Sequence, residues 1–256
     1  MTYLKPKKSL GQHFLKDENI AKKIVGSLSK ESVNVFEIGP GTGVLTKYLI
    51  AEPDLNVLFI ETDSDAVEFL KNKFPENVSQ IIHADFLKLN INNFFCGNFS
   101  IIGNFPYNIS SQIFFKILEQ KEHVNEVVCM IQKEVAERIS SPPGTKKYGI
   151  LSVLLQAYFD IEYLFTVNET VFFPPPKVKS AVIRLKRNET SSLDCDEKIF
   201  FKVVKAAFNQ RRKTLRNSLK NFNIDKEKTG AELLSKRAEQ LYVKDFVFLV
   251  KSIING

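Results

Sequence analysis

The feature that most constrains this sequence is a short segment, residues 35–38, which is apolar except for Glu37 and runs into Gly39, Gly41 and Gly43. Apolar residues in such a run are typical of a buried strand in a parallel sheet. Glycine lets the backbone turn tightly and come close to a ligand, because it has no Cβ. Residues 44–50 are predicted to form a helix, whose first amide groups would be free to bind that ligand.

Two later strands are predicted to end in acidic residues. Residues 57–60 are apolar and lead into Glu61, twenty residues after Gly41. A carboxylate at this place in a doubly wound sheet can accept both hydroxyls of a ribose. Residues 78–86 are predicted to form the third strand, where Asp85 could accept the amino group of an adenine. The ends of parallel strands share one edge of a sheet, so these side chains are expected to surround one ligand.

Glycine-rich turns of this kind bind dinucleotides or S-adenosylmethionine (SAM), and some bind nothing. The spacing here is Gly-x-Gly-x-Gly rather than Gly-x-Gly-x-x-Gly, which weakens the NAD interpretation. Glu37 favours a cationic ligand over a pyrophosphate, since its carboxylate would repel phosphates. The residues therefore favour SAM, which carries a sulfonium and an ammonium group. An NAD enzyme and a purely structural turn remain as alternatives.

A fourth predicted strand breaks into Asn104-Phe105-Pro106-Tyr107. The exocyclic nitrogen of adenine is a poor nucleophile, because its lone pair is delocalised into the ring. Asn104 Oδ1 and the Pro106 carbonyl are neutral acceptors that could hold both hydrogens of this amino group and favour a tetrahedral nitrogen. Tyr107 offers a flat face to a base taken out of its stack. Phe172 could close on the opposite face of the base, although core packing is its alternative role.

The length of 256 residues allows one α/β domain and a smaller second domain. Residues 187–197 are polar and lack an apolar pattern, so the predicted domains are a catalytic domain, 1–189, and a helical RNA-binding domain, 190–256. The three cysteines and three histidines show no disulfide or metal-ligand spacing, which predicts a metal-free protein of the reducing cytoplasm. No apolar run reaches the roughly 18 residues of a membrane span.

Positive charge is concentrated in the second predicted domain. Residues 198–220, the basic segment, contain eight basic and no acidic side chains, whereas the rest of the chain has a net charge of −1 out of a total of +7. A local positive field of this kind is what a polyanion-binding surface requires. The predicted RNA contacts are Lys147, Lys205, Arg211, Arg212, Lys213 and Arg216.

These motifs resemble those of the ribosomal RNA adenine dimethyltransferases, and most closely those of the small-subunit branch. The resemblance covers nearly the whole chain. The matching segments are residues 11–15, 37–41, 61, 85, 104–110, 147–149, 172–178 and 208–216. The last segment is the most specific, because the related macrolide-resistance methyltransferases of large-subunit rRNA share the earlier motifs but not this one.

The resemblance implies a Rossmann-like SAM-dependent methyltransferase sheet with helices on both faces, plus a small all-α C-terminal domain. It also implies N6,N6-dimethylation of two adjacent adenosines in the 3′-terminal hairpin of small-subunit (16S) rRNA, within a pre-assembled subunit and by a monomer. The predicted cofactor-binding residues are Gln12, His13, Leu15, Glu37, Gly39, Gly41, Glu61, Asp85, Phe86 and Asn104. Two residues depart from the family pattern: Phe105 replaces the usual leucine, and His13 stands where asparagine is often found.

Two other functions remain open at this point. A non-catalytic ribosome-assembly or RNA-binding factor could use the same fold, but the intact Asn-x-Pro-Tyr sequence and the acidic strand ends argue against it. A large-subunit rRNA adenine methyltransferase is disfavoured by residues 211–216.

Overall fold

The structure is a computed structural model that describes residues 4–254. The chain divides into two compact units. The first runs to Ala136 and resumes at Ile161–Arg187, and the second comprises Glu137–Asp160 and the chain from Asn188 onwards.

The observed division differs from the predicted ranges 1–189 and 190–256, whose outer ends lie outside the described residues. The later boundary falls close to the predicted one, but Glu137–Asp160 joins the second unit. The reason is the helix Ile150–Gln156, whose side chains from Leu151 to Leu155 are all buried and which packs against the helix Glu197–Asn209. A helix that is apolar on most sides needs a partner along its length.

The described chain contains nine strands and eleven α-helices. The strands are β1 (Phe14–Leu15), β2 (Asn34–Ile38), β3 (Asn56–Glu61), β4 (Ile81–His83), β5 (Phe99–Asn104), β6 (Val124–Gln132), β7 (Phe159–Val167), β8 (Phe172–Phe173) and β9 (Ser180–Arg187). The helices are α1 (Glu18–Val25), α2 (Thr46–Ile50), α3 (Ser64–Lys73), α4 (Ser110–Glu119), α5 (Lys133–Ser140), α6 (Ile150–Gln156), α7 (Glu197–Asn209), α8 (Leu215–Ser218), α9 (Lys226–Thr229), α10 (Ala231–Ser235) and α11 (Val243–Lys251).

The predicted α/β sheet is confirmed. Seven strands form one sheet in the order β4-β3-β2-β5-β6-β9-β7, and the first five of these run parallel. Its central strands are buried along their length, as continuous apolar runs in parallel sheets require. β9 runs antiparallel to β6. β7 lies outside β9 and forms the edge of the sheet.

Two elements are shorter than their sequence patterns predicted. The third strand spans only Ile81–His83, because the residues before it form the 3₁₀ helix Pro75–Gln80. The helix after the glycines spans only Thr46–Ile50. Asp85, which was predicted to lie in the third strand, follows that strand by two residues and lies in the turn after it.

The order of the sheet creates a switch point between β2 and β5. The chain passes from β2 outwards to β3 and β4, then returns to the other side of β2 as β5. Ligands of doubly wound sheets bind at the carboxyl ends of the strands beside such a point. The two strands also approach closely there, since a Cβ on Gly103 would lie 2.5 Å from the Ile38 carbonyl oxygen.

The segment before α1 is fixed to the first unit by a strand pair and by polar contacts. β1 pairs antiparallel with β8, with Phe14 opposite Phe173. Lys7 Nζ lies 2.5 Å from Asp63 Oδ1, and Gln12 Nε2 donates to Asp63 Oδ2 at 2.8 Å. The buried carboxylate of Asp63 therefore holds residues 7–12 beside the carboxyl end of β3.

Candidate active site

A cleft of about 220 Å³ lies at the switch point of the sheet. Its walls come from the segment before α1, the glycine turn after β2, the ends of β3 and β5, and the turn after β4. The predicted residues that line it are Gln12, His13, Gly39, Gly41, Glu61, Asp85, Asn104, Pro106 and Tyr107. The structure thus brings together side chains that lie up to 95 positions apart in the sequence.

The glycine turn is held by the carboxylate of Glu61. Glu61 Oε2 accepts from the Gly41 amide at 3.0 Å, and Oε1 accepts from the amides of Thr62 and Asp63 at 2.8 and 2.9 Å. Burial raises the pKa of Glu61, and the three amide donors oppose that shift. A carboxylate offers about four lone-pair sites, so Glu61 keeps capacity for one more donor.

Gly39 provides open space for a ligand rather than a free amide donor. Gly39 has φ +67°, a left-handed conformation that favours glycine, and no atom lies within 4 Å of where its Cβ would be. Its amide donates to the Ile60 carbonyl at 2.9 Å, while that of Gly41 is bound by Glu61. The amides of these two glycines are therefore already used within the protein. A phosphate would need such donors, so this arrangement favours a cationic ligand.

Asn104 has its amide orientation fixed by the segment before α1. Its Nδ2 donates to the main-chain carbonyl of His13 at 2.9 Å. A carbonyl can only accept, so the nitrogen of the amide must face His13 and Oδ1 is left to accept from a ligand. The neutral acceptor predicted at this position is therefore oriented before any substrate binds.

The two residues that follow Asn104 are also fixed. Phe105 is buried against Phe114, and its amide donates to the Met130 carbonyl at 3.0 Å. The phenylalanine that stands here in place of the usual leucine therefore does not displace the acceptor of Asn104. The Pro106 carbonyl accepts from the Ile109 amide at 3.2 Å and, having two lone pairs, can accept a second hydrogen bond.

Tyr107 is held at both its ring face and its hydroxyl. The ring stacks on His13, with centroids 5.4 Å apart, and the hydroxyl is 2.5 Å from Ser180 Oγ. Burial raises the pKa of Tyr107, and the hydrogen bond to Ser180 opposes that shift. The phenol is therefore neutral at ordinary pH and suited to stacking rather than to proton abstraction.

Four predicted site residues are buried elsewhere. Leu15 and Phe172 belong to the main hydrophobic core, and Phe86 is 5% exposed. Glu37 is also buried, and its Oε2 accepts from Thr46 Oγ1 at 2.7 Å. None of these four residues lines the cleft, and the role predicted for each of them at the site stays a prediction. Side chains alternate along β8, so the ring of Phe172 points into the core and that of its neighbour Phe173 is 43% exposed.

Eight residues of the cleft were not predicted. They are Leu10, Gly11, Phe14, Thr62, Leu87, Phe105, Asn108 and Ile109. Most of them are adjacent in sequence to predicted residues. They line the cleft because they belong to the same segments of the chain. Gly11 carried a signal within the matched segment 11–15, and its reason is now visible: a Cβ there would lie 2.6 Å from Asn108 Oδ1.

The predicted RNA contacts lie in the second unit and divide into two kinds. Lys205, Arg212, Lys213 and Arg216 are exposed. Arg211 is instead held within the unit: Nε is 3.0 Å from Glu239 Oε2, and a terminal nitrogen donates to the carbonyls of Lys146 and Tyr148. Lys147 is exposed as well, but its Nζ lies 2.6 Å from Glu137 Oε2.

Within residues 4–254, no group of three or more His, Cys, Asp or Glu side chains is arranged to hold a metal ion. Over the same range, no helix is long and apolar enough to cross a membrane.

Comparison with known proteins gives one consistent result. The family model described as "Ribosomal RNA adenine dimethylase" matches residues 3–254. A Cytophaga hutchinsonii protein named "Ribosomal RNA small subunit methyltransferase A" is 53% identical over 258 residues, which cover 100% of both chains. A Flavobacterium johnsoniae protein of the same name is 55% identical over 99% of this chain and 97% of its own.

Two solved structures share the fold. A dimethyladenosine transferase from Plasmodium falciparum has a TM-score of 0.77 and 28% identity, over 93% of this chain and 96% of its own. The 23S rRNA methyltransferase ErmE has a TM-score of 0.72 and 24% identity, over 94% and 99% of the two chains. The predicted Rossmann-like fold is confirmed by these neighbours.

The buried carboxyl of Glu37 predicts a pH dependence of stability. Burial, aided by the charge of Glu61, raises the pKa of Glu37 to about 8, and the Thr46 hydroxyl opposes the shift. Between the ordinary value of 4.5 and about 8, the folded protein keeps a proton that the unfolded chain releases. The free energy of unfolding should therefore fall as pH rises through this window and level off above it.

Urea unfolding of the ligand-free protein at several pH values between 5 and 8 measures this effect. Glu37→Gln keeps the shape but removes the ionisation, so the decline with pH should become shallower in this variant. Glu52→Gln, at an exposed glutamate, serves as the control and should follow the wild type. If the free energy of unfolding fell with pH equally steeply in wild type and in Glu37→Gln, this would show that Glu37 does not keep its proton in the folded protein.

Proposed function

This chain belongs to the ribosomal RNA adenine dimethylase family, and from that membership we propose that it is a SAM-dependent N6,N6-dimethyltransferase of small-subunit rRNA. Its substrate would be two adjacent adenosines in the 3′-terminal hairpin, modified during ribosome biogenesis. The relatives that are 53% and 55% identical over nearly full length support the small subunit as target. The observation that carries the chemistry is the oriented amide of Asn104, which leaves Oδ1 as an acceptor.

The cleft suits SAM by the charge and space of its walls. Glu61 and Asp85 place carboxylates at the ends of neighbouring strands, and Gly39 leaves open space between the glycine turn and the cleft. A cation is attracted by such a wall, whereas the polyphosphate of NAD would meet carboxylates and amides that are already bonded. Glu61 and Asp85 would bind the ribose and the adenine of the cofactor. When bound, SAM supplies an electrophilic methyl group for transfer to nitrogen.

The residues after β5 would prepare the amino group of the target adenine. Asn104 Oδ1 and the Pro106 carbonyl accept its two hydrogens, which withdraws the nitrogen lone pair from the ring and makes it available for attack. Both acceptors are neutral, so neither removes a proton beforehand. The nitrogen becomes cationic as it gains the methyl group, and its proton then leaves to water. Positioning and polarisation, with no strong base, account for the reaction.

The target base would stack on the exposed face of Tyr107. A base can reach the cleft only after leaving its stack in the RNA, and an aromatic face offsets part of the cost of unstacking. Phe172 is proposed for the second face, which requires its ring to leave the core when RNA binds. Phe173, which is adjacent and more exposed, would be the alternative ring for that face.

RNA would be held by the exposed cations of the basic segment. Lys198, Lys202, Lys205, Arg212, Lys213, Arg216 and Lys220 are all exposed. Cations of this kind bind phosphates and position RNA without reading its sequence, so affinity should fall steeply with salt. We further propose that the protein acts as a monomer on a pre-assembled small subunit in the cytoplasm.

The proposed reaction is tested by incubating the protein with labelled SAM and under-methylated small subunits. Modified bases are mapped by reverse transcription, which stops at N6,N6-dimethyladenosine because its pairing edge is blocked. Label confined to two adjacent adenosines of the 3′-terminal hairpin is the expected result. Label in large-subunit rRNA would show that the target lies in the other subunit. Binding of RNA without incorporation of label would instead indicate a non-catalytic assembly factor.

Asn104→Ala should reduce methylation by at least about 100-fold, the range found for loss of a group that stabilises a transition state. RNA affinity should stay within about twofold, since no phosphate contact is removed. Asn56→Ala, at an exposed asparagine at the start of β3, is the control and should methylate like the wild type. Methylation by Asn104→Ala at the wild-type rate would contradict the role of the amide.

The two kinds of basic residue should behave differently when removed. Arg212→Ala/Lys213→Ala should weaken RNA binding and reduce the slope of log affinity against log salt by about two, because two phosphate contacts are lost. Its thermal stability should be unchanged. Arg211→Ala should instead lower the free energy of unfolding by about 1 kcal/mol, since Glu239 and two carbonyls lose a partly exposed donor.

RNA titrations at several salt concentrations, together with thermal melts, compare these variants with the wild type. An unchanged salt slope in Arg212→Ala/Lys213→Ala would remove these residues from the RNA-binding surface. Wild-type stability in Arg211→Ala would contradict its structural role.

A further inference from the structure

The hydroxyl of Tyr107 forms a hydrogen bond with Ser180, a residue that no sequence motif marks as catalytic. Ser180 is the first residue of β9 and is fully buried, and its Oγ lies 2.5 Å from the hydroxyl oxygen of Tyr107. Its place is set by the strand ladder, in which Ser180 is opposite Gln132 on β6. The hydroxyl of Tyr107 is therefore tied to a rigid part of the sheet.

Tyr107 is also held at its ring and its backbone. One face of the ring is covered by the imidazole of His13, with an angle of 27° between the planes. His13 Nδ1 donates in turn to the Pro174 carbonyl at 2.7 Å, which keeps the imidazole in place. The Tyr107 carbonyl accepts from Ser110 Oγ at 3.3 Å.

These contacts leave a base only the face of Tyr107 that is turned away from His13. The orientation of that face determines where an adenine lies relative to Asn104, three residues earlier. A tyrosine anchored only by its backbone and one face could still change its ring angle, and a small error in placing reactants reduces rate steeply. The hydrogen bond to Ser180 fixes the hydroxyl end of the Tyr107 side chain, which is the part that moves furthest when the ring angle changes.

We propose that Ser180 is a positioning residue for methyl transfer: by holding the hydroxyl of Tyr107, it fixes the plane on which the target adenine stacks beside Asn104. The proposal rests on the function proposed above. It assigns Ser180 no contact with substrate or cofactor, because its hydroxyl acts only through Tyr107.

The contact itself can be tested without RNA or cofactor. In full-length protein labelled with ¹³C at Cζ of tyrosine, the Tyr107 resonance is identified by its loss in Tyr107→Phe. Ser180→Ala should shift or broaden that resonance, because the hydroxyl loses its partner. Ser100→Ala is the matched control, since Ser100 is a buried serine of the same sheet that bonds to Ser32 instead. A Tyr107 resonance unchanged in Ser180→Ala would overturn the proposal.

The consequence for catalysis is tested by single-turnover methylation of under-methylated small subunits at saturating SAM. Ser180→Ala and Tyr107→Phe should each lower the rate constant by about 3- to 10-fold, the effect of one neutral hydrogen bond. The affinities for SAM and for the subunit should not change. Because the two variants break the same bond, the double variant should be no slower than the slower single variant.

Ser100→Ala should turn over at the wild-type rate. A wild-type rate in Ser180→Ala, or effects that multiply in the double variant, would show that Ser180 does not act through Tyr107. If the wild-type protein methylates no adenosine, the proposed function fails, and the tyrosine resonance still decides whether Ser180 holds Tyr107. The two failures are therefore distinguishable.

Discussion

The hydrogen bond from the Asn104 amide to the His13 carbonyl is the interaction on which the site depends. It decides which end of the amide faces the cleft, and so whether the site presents an acceptor or a donor to an amino group. The segment before α1, which supplies this carbonyl, is held against the first unit by the pairing of β1 with β8 and by the bonds of Lys7 and Gln12 to Asp63. A loosely held segment would leave the amide free to turn.

The charged groups around this bond are arranged to leave the reacting centre neutral. Glu61 uses three lone pairs on backbone amides and so acts as a fixed part of the glycine turn. Burial favours the protonated form of Glu37, and Tyr107 remains a neutral phenol. A strong base beside the target is unnecessary for an amine that loses its proton after methylation. Exposed positive charge is concentrated instead in the basic segment of the second unit.

The sequence predicted the sheet and nine of the residues that line the cleft, because both follow from local signals. Apolar runs mark the parallel strands, and glycine or acidic residues mark their ends. It did not predict which way a side chain points. Phe172 and Phe173 are equivalent in a composition-based pattern, and only the pairing of β8 with β1 shows which one enters the core. Likewise, Arg211 looks like its basic neighbours until Glu239 and the Tyr148 carbonyl are placed beside it.

The most direct test is a crystal structure of the protein with sinefungin, a SAM analogue that carries an amine in place of the methyl sulfonium, and an RNA hairpin bearing two adjacent adenosines. Asn104 Oδ1 is expected to lie about 3 Å from N6 of one adenine, the usual hydrogen-bond distance, with Nδ2 still on the His13 carbonyl. An adenine bound in another pocket, or an amide turned so that its nitrogen faces N6, would contradict the account.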